Sequence, residues 1–215
     1  MRIRKDVRLP IKNMGGWFCW ADEMPERPPV LSAGIGGDVG FERALVEDFG
    51  ATVHAFDPTP DAVEWIGSQV IGEGFYFHAW ALSGKDATLR MFRRTNKKGK
   101  KSAMMWTISE QAAASDNAIE VKAYSVGTAM TELGLEKLDI LKLDIEGAEY
   151  PVLETLAGLD MRPGQILVEF HHRFPSIGKA KTESALAELR RIGYRVYAIS
   201  DTGRELSLVH DELLG

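Results

Sequence analysis

The sequence predicts a doubly wound, mostly parallel α/β sheet, and three observations carry that expectation. Apolar runs of strand length alternate with segments whose apolar residues recur at helical spacing. One run, residues 138–143, is apolar almost without a break, as in a parallel strand buried on both faces. The first run leads directly into a glycine-rich turn, Gly34-Ile-Gly-Gly-Asp-Val-Gly40, which in such a sheet marks the carboxyl-end crevice where ligands bind. Crossovers in a fold of this kind are right-handed.

The elements follow in order. Residues 30–33 form the first strand, and Phe41, Ala44, Leu45 and Phe49 line one face of a helix that Gly50 stops. Residues 52–56 form the second strand, ended by Asp57-Pro58. Thr59 then caps a helix with Pro60 at its first position, and Ala62, Val63 and Ile66 make its buried stripe. Residues 75–82 read as a third strand, and 87–92 and 119–124 as further strands around a polar insert. Ser125 caps a helix that runs to Leu133, with Gly134 as its stop. After the strand at 138–143, Ala148, Val152, Leu153 and Leu156 continue as a helix. Residues 166–170 and 184–192 make the next strand and helix, the latter burying Leu186, Leu189 and Ile192. Residues 195–199 and 205–209 close the chain as an antiparallel hairpin around Asp201-Thr-Gly203. Residues 1–29 and about 93–118 read as irregular, a decoration and an insert on one domain spanning 1–215.

Composition narrows the function classes. The 215 residues are 45% apolar and 27% charged, which fits one globular domain and excludes a collagen-like or disulfide scaffold. With 26 Lys+Arg against 31 Asp+Glu the net charge is −5, the wrong sign for a general nucleic-acid binder. Cys19 is the sole cysteine, so a reducing, cytoplasmic setting is expected. The polar start MRIRKDVRLPIKN lacks the apolar centre of a signal peptide, and no run has the ~18–20 apolar residues that cross a bilayer.

The glycine turn departs from a dinucleotide fingerprint. The sixth position of G-x-G-x-x-G is Val39, with glycine one residue late. Asp38 also sits where a pyrophosphate needs the positive end of the next helix unopposed. A carboxylate there suits an ammonium group instead. Asp57, at the end of the second strand, is placed to accept hydrogen bonds from both hydroxyls of a ribose. Together they fit an adenosine joined to a cationic amino-acid tail, as in S-adenosylmethionine (SAM), better than a dinucleotide. The bland alternative is a set of ordinary turn glycines and caps.

Three segments resemble the motifs of FkbM-type SAM-dependent methyltransferases: Ser32-Ala-Gly-Ile-Gly-Gly-Asp-Val-Gly-Phe-Glu42, His54-Ala-Phe-Asp-Pro-Thr-Pro60 and Leu141-Lys-Leu-Asp-Ile-Glu-Gly-Ala-Glu149. Leu167-Val-Glu-Phe-His171 is similar to the family's fifth strand. Many members carry an Asp in the first strand motif and a Glu after the second, where Ala33 and Asp57 stand here. The resemblance implies a seven-stranded, Rossmann-like class I methyltransferase sheet with an antiparallel last strand. It also implies that Gly34, Gly36 and Asp38 hold the methionine part of SAM and Asp57 its ribose. The turn Trp80-Ala81-Leu82 would lie against the adenine, although Ala81 and Leu82 could equally be strand-end packing.

Asp144, Glu146 and Glu149 follow the fourth strand, and Glu169, His171 and His172 end the fifth. Both ends of a parallel pair open on one crevice. Methyl transfer aligns acceptor and sulfonium, and an alcohol acceptor must also lose a proton to a nearby base. His171 is the expected base, with Asp144 as its orienter or alternative. Whether His171 or His172 faces the crevice is open, because adjacent strand residues point to opposite faces. A metal-free site is expected; the alternative is Mg²⁺ held by Asp144 and Glu169 with waters. Against functional roles, Asp144 could cap the next helix and Glu146 could pair with Lys142.

The basic run at 93–101 reads as a solvated loop or as a lid whose cations attract an acidic acceptor, covered by Met104, Met105 and Trp106. Trp17, Phe18 and Trp20 are either a second wall of the acceptor pocket or simple packing on the sheet. The expected function is SAM-dependent methyl transfer to a hydroxyl of a small-molecule or sugar-like acceptor, with no nucleic-acid or membrane partner. The alternatives are an NAD(P)-dependent oxidoreductase and a SAM-binding module without turnover.

Overall fold

The computed structural model of the chain describes residues 3–95, 101–107 and 113–215. A short hairpin comes first, β1 (Lys12–Met14) and β2 (Trp17–Cys19), turned by Gly15 and Gly16 at positive φ. The expectation of an irregular 1–29 is therefore corrected. The pair is short and lacks alternation, but Met14 and Cys19 are buried, so tertiary packing forms it.

The central strand β3 (Pro29–Ala33) is buried throughout and leads through the glycine turn into α1 (Gly40–Phe49). Gly50, in the left-handed conformation, ends that helix as expected. β4 (Thr52–Phe56) is followed by α2 (Pro60–Ile66), whose cap Thr59 accepts from the Ala62 N–H through its side chain. Only part of the expected stripe is buried: Ala62 is, whereas Val63 is 41% exposed. With seven residues, α2 is too short to bury a wide face.

The run at 75–82 is not one strand. β5 (Phe75–His78) pairs with β4 at the sheet edge, the chain bends at 79–80, and β6 (Ala81–Leu82) joins another sheet beside β9 (Ala113–Tyr124). The described residues of the 93–118 insert are strand as well. β7 (Ala87–Thr95) and β8 (Lys101–Thr107) pair with each other, and β7 with β9, in a four-stranded sheet ordered β6-β9-β7-β8. Its polar residues concealed the strands, because a ladder of backbone hydrogen bonds does not need apolar side chains on both faces. Residues 96–100 of the basic run, and the side chains of Met104 and Met105, lie outside the described residues.

After β9 come α3 (Val126–Glu132), capped by Ser125, and β10 (Ile140–Leu143), all of it buried. α4 (Glu149–Thr155) and a 3-10 turn lead to β11 (Gln165–Glu169). α5 (Gly178–Arg191) starts six residues before the apolar periodicity does, anchored by Thr182, whose hydroxyl meets the Tyr150 hydroxyl at 2.8 Å. β12 (Tyr194–Ile199) and β13 (Glu205–His210) close the chain.

The seven-stranded sheet runs β12-β13-β11-β10-β3-β4-β5 and is parallel except for β13, which is antiparallel to both neighbours. Alternate residues face opposite layers. Leu31, Leu141 and Val168 pack against α3, α4 and α5, while Val30, Ile140 and Leu167 pack against α1 and the β1-β2 hairpin. The chain leaves β3 toward β4 and β5, then returns to β10 on the other side of β3. That reversal places the crevice at the carboxyl ends of β3 and β10. Among the described residues no helix is long and apolar enough to cross a membrane.

Candidate active site

A cavity of about 310 Å³ opens at that reversal. Its floor is the glycine turn. Gly34 has φ +81°, and a Cβ there would stand 1.8 Å from the Asp144 carbonyl oxygen, so the turn and the end of β10 can meet only at a glycine. Asp57 is 6% exposed at the end of β4. One of its oxygens accepts from the Gly36 N–H at 3.0 Å, and the other from the Thr59 N–H and hydroxyl at 3.0 and 2.6 Å. The carboxylate is thus fixed against the cavity wall with acceptor capacity to spare, since each oxygen offers two lone pairs.

The remaining wall comes from the second sheet. Ala81, Leu82, Leu89, Met91 and Trp106 line the cavity opposite Phe56 and Asp57. Asp61 on α2 ties this wall down, accepting from Arg93 and from the Trp106 indole N–H, both at 2.8 Å. Burial opposes ionisation of Asp61, but these two donors hold its carboxyl below the usual range. Trp80 is not in the lining; it packs on His78 and Tyr124 at ring separations of 4.8 and 4.9 Å. Asp38 is exposed and also outside the lining, its Oδ1 accepting from the Gly40 N–H at 2.8 Å at the start of α1.

Asp144 and Glu146 also line the cavity, and Asp144 lines a second pocket as well, with Glu169, Trp17, Phe18 and the turn at Ser200–Thr202. The N-terminal aromatics divide accordingly. Trp17 and Phe18 line this pocket, whereas Trp20 is buried against Tyr197 and Val209. Neither bland reading of the carboxylates holds. α4 has Ala148 at its cap and no side-chain cap bond, so Asp144 does not cap it. Lys142 lies 3.4 Å from Glu42 and donates to the Gly34 carbonyl at 3.0 Å, so it is Glu42 rather than Glu146 that pairs with it.

His171, not His172, turns into the acidic group. It is fully buried just beyond β11, with Nε2 3.8 Å from Asp144, 3.8 Å from Glu146 and 3.9 Å from Glu169. Its orientation comes from Glu149, one oxygen of which accepts from the His171 backbone N–H at 2.8 Å and lies 3.3 Å from Nδ1. The other oxygen accepts from the Gly147 N–H at 2.8 Å. Burial disfavours charge on His171, yet the hydrogen bond to Glu149 and the charges of Glu149, Glu146 and Glu169 outweigh it and raise its pKa. Glu169 is pushed up to about 7 by burial and by the negative charge of Asp144, against His171 and Arg204. Asp144 and His171 therefore face one another across the ends of β10 and β11, but His171 lines neither pocket.

Sequence reasoning missed Glu149 as the residue that aims His171. It also missed Leu89 and Met91 as cavity wall and the 200–202 turn as pocket rim. For the turn a signal existed: a hairpin whose first strand runs parallel to β11 must turn at the carboxyl edge.

Residues 31–196 match the methyltransferase FkbM domain. The chain is 25% identical over 183 residues to the probable methyltransferase-like protein 24 of Rattus norvegicus, covering 78% of this chain and 42% of that protein. The Homo sapiens protein of the same name is 24% identical over 178 residues, with 78% and 41% covered. The chain thus spans about two fifths of the length of these relatives. Among solved structures, the fibrillarin pre-rRNA processing protein of Methanococcus jannaschii superimposes with a TM-score of 0.50 at 11% identity, over 94% of this chain and 71% of that one, a likeness of fold alone. With the motifs, the sheet order and the domain match in agreement, the chain belongs to the FkbM methyltransferase family.

Proposed function

We propose that the chain transfers the methyl group of SAM to a hydroxyl oxygen of a small-molecule or sugar-like acceptor. The observation that carries this reading is the meeting of two pockets at Asp144. The first combines a glycine floor, a buried carboxylate and an apolar wall, as an adenosyl group requires. Asp57 takes the ribose hydroxyls, Gly34 and Gly36 face the methionine part, and Ala81 and Leu82 lie against the adenine. Asp38, held in its turn by Gly40, acts on the ammonium group only through its charge at the mouth of the loop.

The acceptor occupies the second pocket, between Trp17, Phe18 and the 200–202 turn. In the transfer the acceptor oxygen forms a bond to the methyl carbon, the carbon–sulfur bond breaks, and its electron pair stays on sulfur. The acceptor proton passes to Asp144, the carboxylate of the acidic group that is open to both pockets. His171 is then a positioning residue rather than the base that touches the acceptor. The sole cysteine, buried at Cys19, is in keeping with a cytoplasmic setting.

Calorimetric titration with S-adenosylhomocysteine and with NAD(P) tests the cofactor, and transfer of labelled methyl to a hydroxyl panel tests the reaction. Micromolar binding of S-adenosylhomocysteine with methylated product is expected. NAD(P) binding without it overturns the reading in favour of an oxidoreductase, and binding without transfer favours a module that does not turn over.

A further inference from the structure

The acidic group contains a buried polar atom with no hydrogen bond. His171 Nε2 has no partner, although the residue is fully buried. Glu149 accepts from two backbone N–H groups, so toward Nδ1 it acts as acceptor again, and Nδ1 carries the proton. That leaves a lone pair on Nε2 directed at Asp144, Glu146 and Glu169. A proton on Nε2 would not satisfy it either. The nearest carboxylate oxygen is 3.8 Å away, beyond the ~2.7–3.2 Å of a hydrogen bond.

The gap is the size of an ion. Ligand atoms each about 2.1 Å from a shared divalent cation stand ~3–4.2 Å apart, according to the angle between them. Asp144, Glu169 and His171 each offer one ligand atom within 4.8 Å of the others. The carboxylate-to-histidine hydrogen bond behind Nε2 is the arrangement that fixes the tautomer of a metal-ligating imidazole.

We infer that Asp144, Glu169 and His171 form a divalent metal site at the junction of the two pockets, with Glu149 orienting the histidine. A mixed oxygen and imidazole set favours a first-row transition ion such as Mn²⁺ over Mg²⁺, which prefers oxygen and water. Asp144 and Glu169 both line the second pocket, so the open positions of the ion face the acceptor. Its use in catalysis rests on the methyl-transfer reading; the site itself does not.

The test is titration of the metal-stripped chain with Mn²⁺ by calorimetry, with pulsed electron paramagnetic resonance of the bound ion. One Mn²⁺ per chain with micromolar affinity and nitrogen coupling from an imidazole is expected. Glu149→Gln weakens binding about 10–100-fold, Glu169→Gln weakens it at least as much, and His171→Gln removes the nitrogen coupling. Absence of Mn²⁺ binding, binding without nitrogen coupling, or binding indifferent to Glu169→Gln overturns the site. If His171→Gln fails to fold, wild-type coupling together with Glu169→Gln still decides. S-adenosylhomocysteine titrated into the same samples separates the two ideas. Mn²⁺ binding without it sinks the methyl-transfer reading alone, and the reverse sinks the metal alone.

Discussion

The two pockets that share Asp144 are built in opposite ways. The one on the β3-β4 side is a backbone cradle: glycines at its floor, one buried carboxylate tied to Gly36 and Thr59, and an apolar wall. The one on the β10-β11 side is a side-chain device, in which carboxylates from two strand ends surround a histidine that a fourth carboxylate aims. The first needs shape and has little tolerance for added atoms. The second is built on charge, and same-size changes in charge there are expected to alter activity before they alter the fold.

The largest effect expected from this contrast is at the floor of the cradle. Gly34→Ala drives a Cβ to 1.8 Å from the Asp144 carbonyl, at a positive φ, and is expected to cost about 3 kcal/mol or more, or to prevent folding. Gly36→Ala is its control. It has a φ of +52° but open space around the added carbon, and about 1–2 kcal/mol is expected. Denaturant unfolding of both checks the difference; equal costs would mean that conformation, not contact with β10, sets the price at Gly34.

On the charged side, Asp144→Asn keeps the shape and removes the charge. Methyl transfer is expected to slow about 10²–10⁴-fold, while S-adenosylhomocysteine affinity stays within a few-fold. A matching loss of cofactor affinity would merge the two pockets into one functional unit.

Asp57→Ala reverses that pattern. The cofactor is expected to bind about 1.5–3 kcal/mol more weakly, the scale of a lost charge-assisted hydrogen bond. Normal binding by this variant removes Asp57 from the ribose site.

The smallest effect near neutral pH comes from the paired strands β4 and β5 at the sheet edge. His54 on β4 is pushed down to about 4 by burial and by the repulsion it would meet from a proton on His78, whose Nε2 lies 2.9 Å from His54 Nδ1. His78 is lowered too, by burial. Both are neutral in the fold but take up protons in the unfolded chain, so their contribution is intact above about 6.5 and is lost as pH falls toward 4. Melting temperature is expected to decline over that window, and His54→Gln is expected to flatten the decline. An unchanged slope would assign acid sensitivity to other groups.

Much of the fold was legible because its signals are local. Alternating apolar runs, Thr59 before Pro60 and Gly50 after Phe49 each act within a few residues, and the strands and helices they announce are present. The strand at 75–82 was misread because one continuous apolar run hides a bend, and only pairing partners divide β5 from β6. In the site, the glycine turn, Asp57 and the strand-end carboxylates were visible from their positions after apolar runs.

The sequence by itself determined the order of elements, the glycine turn and the carboxylates at the crevice, since each follows from spacing along the chain. The tertiary structure alone decided that Glu149 aims His171 from 22 residues away, that the histidine is buried beside Asp144, and that Trp106, held by Asp61, lines the cavity. The physical reason is that periodicity and turn chemistry are properties of neighbours in sequence. The direction of a buried side chain depends instead on hydrogen-bond partners and packing surfaces that distant segments supply only once the chain has folded.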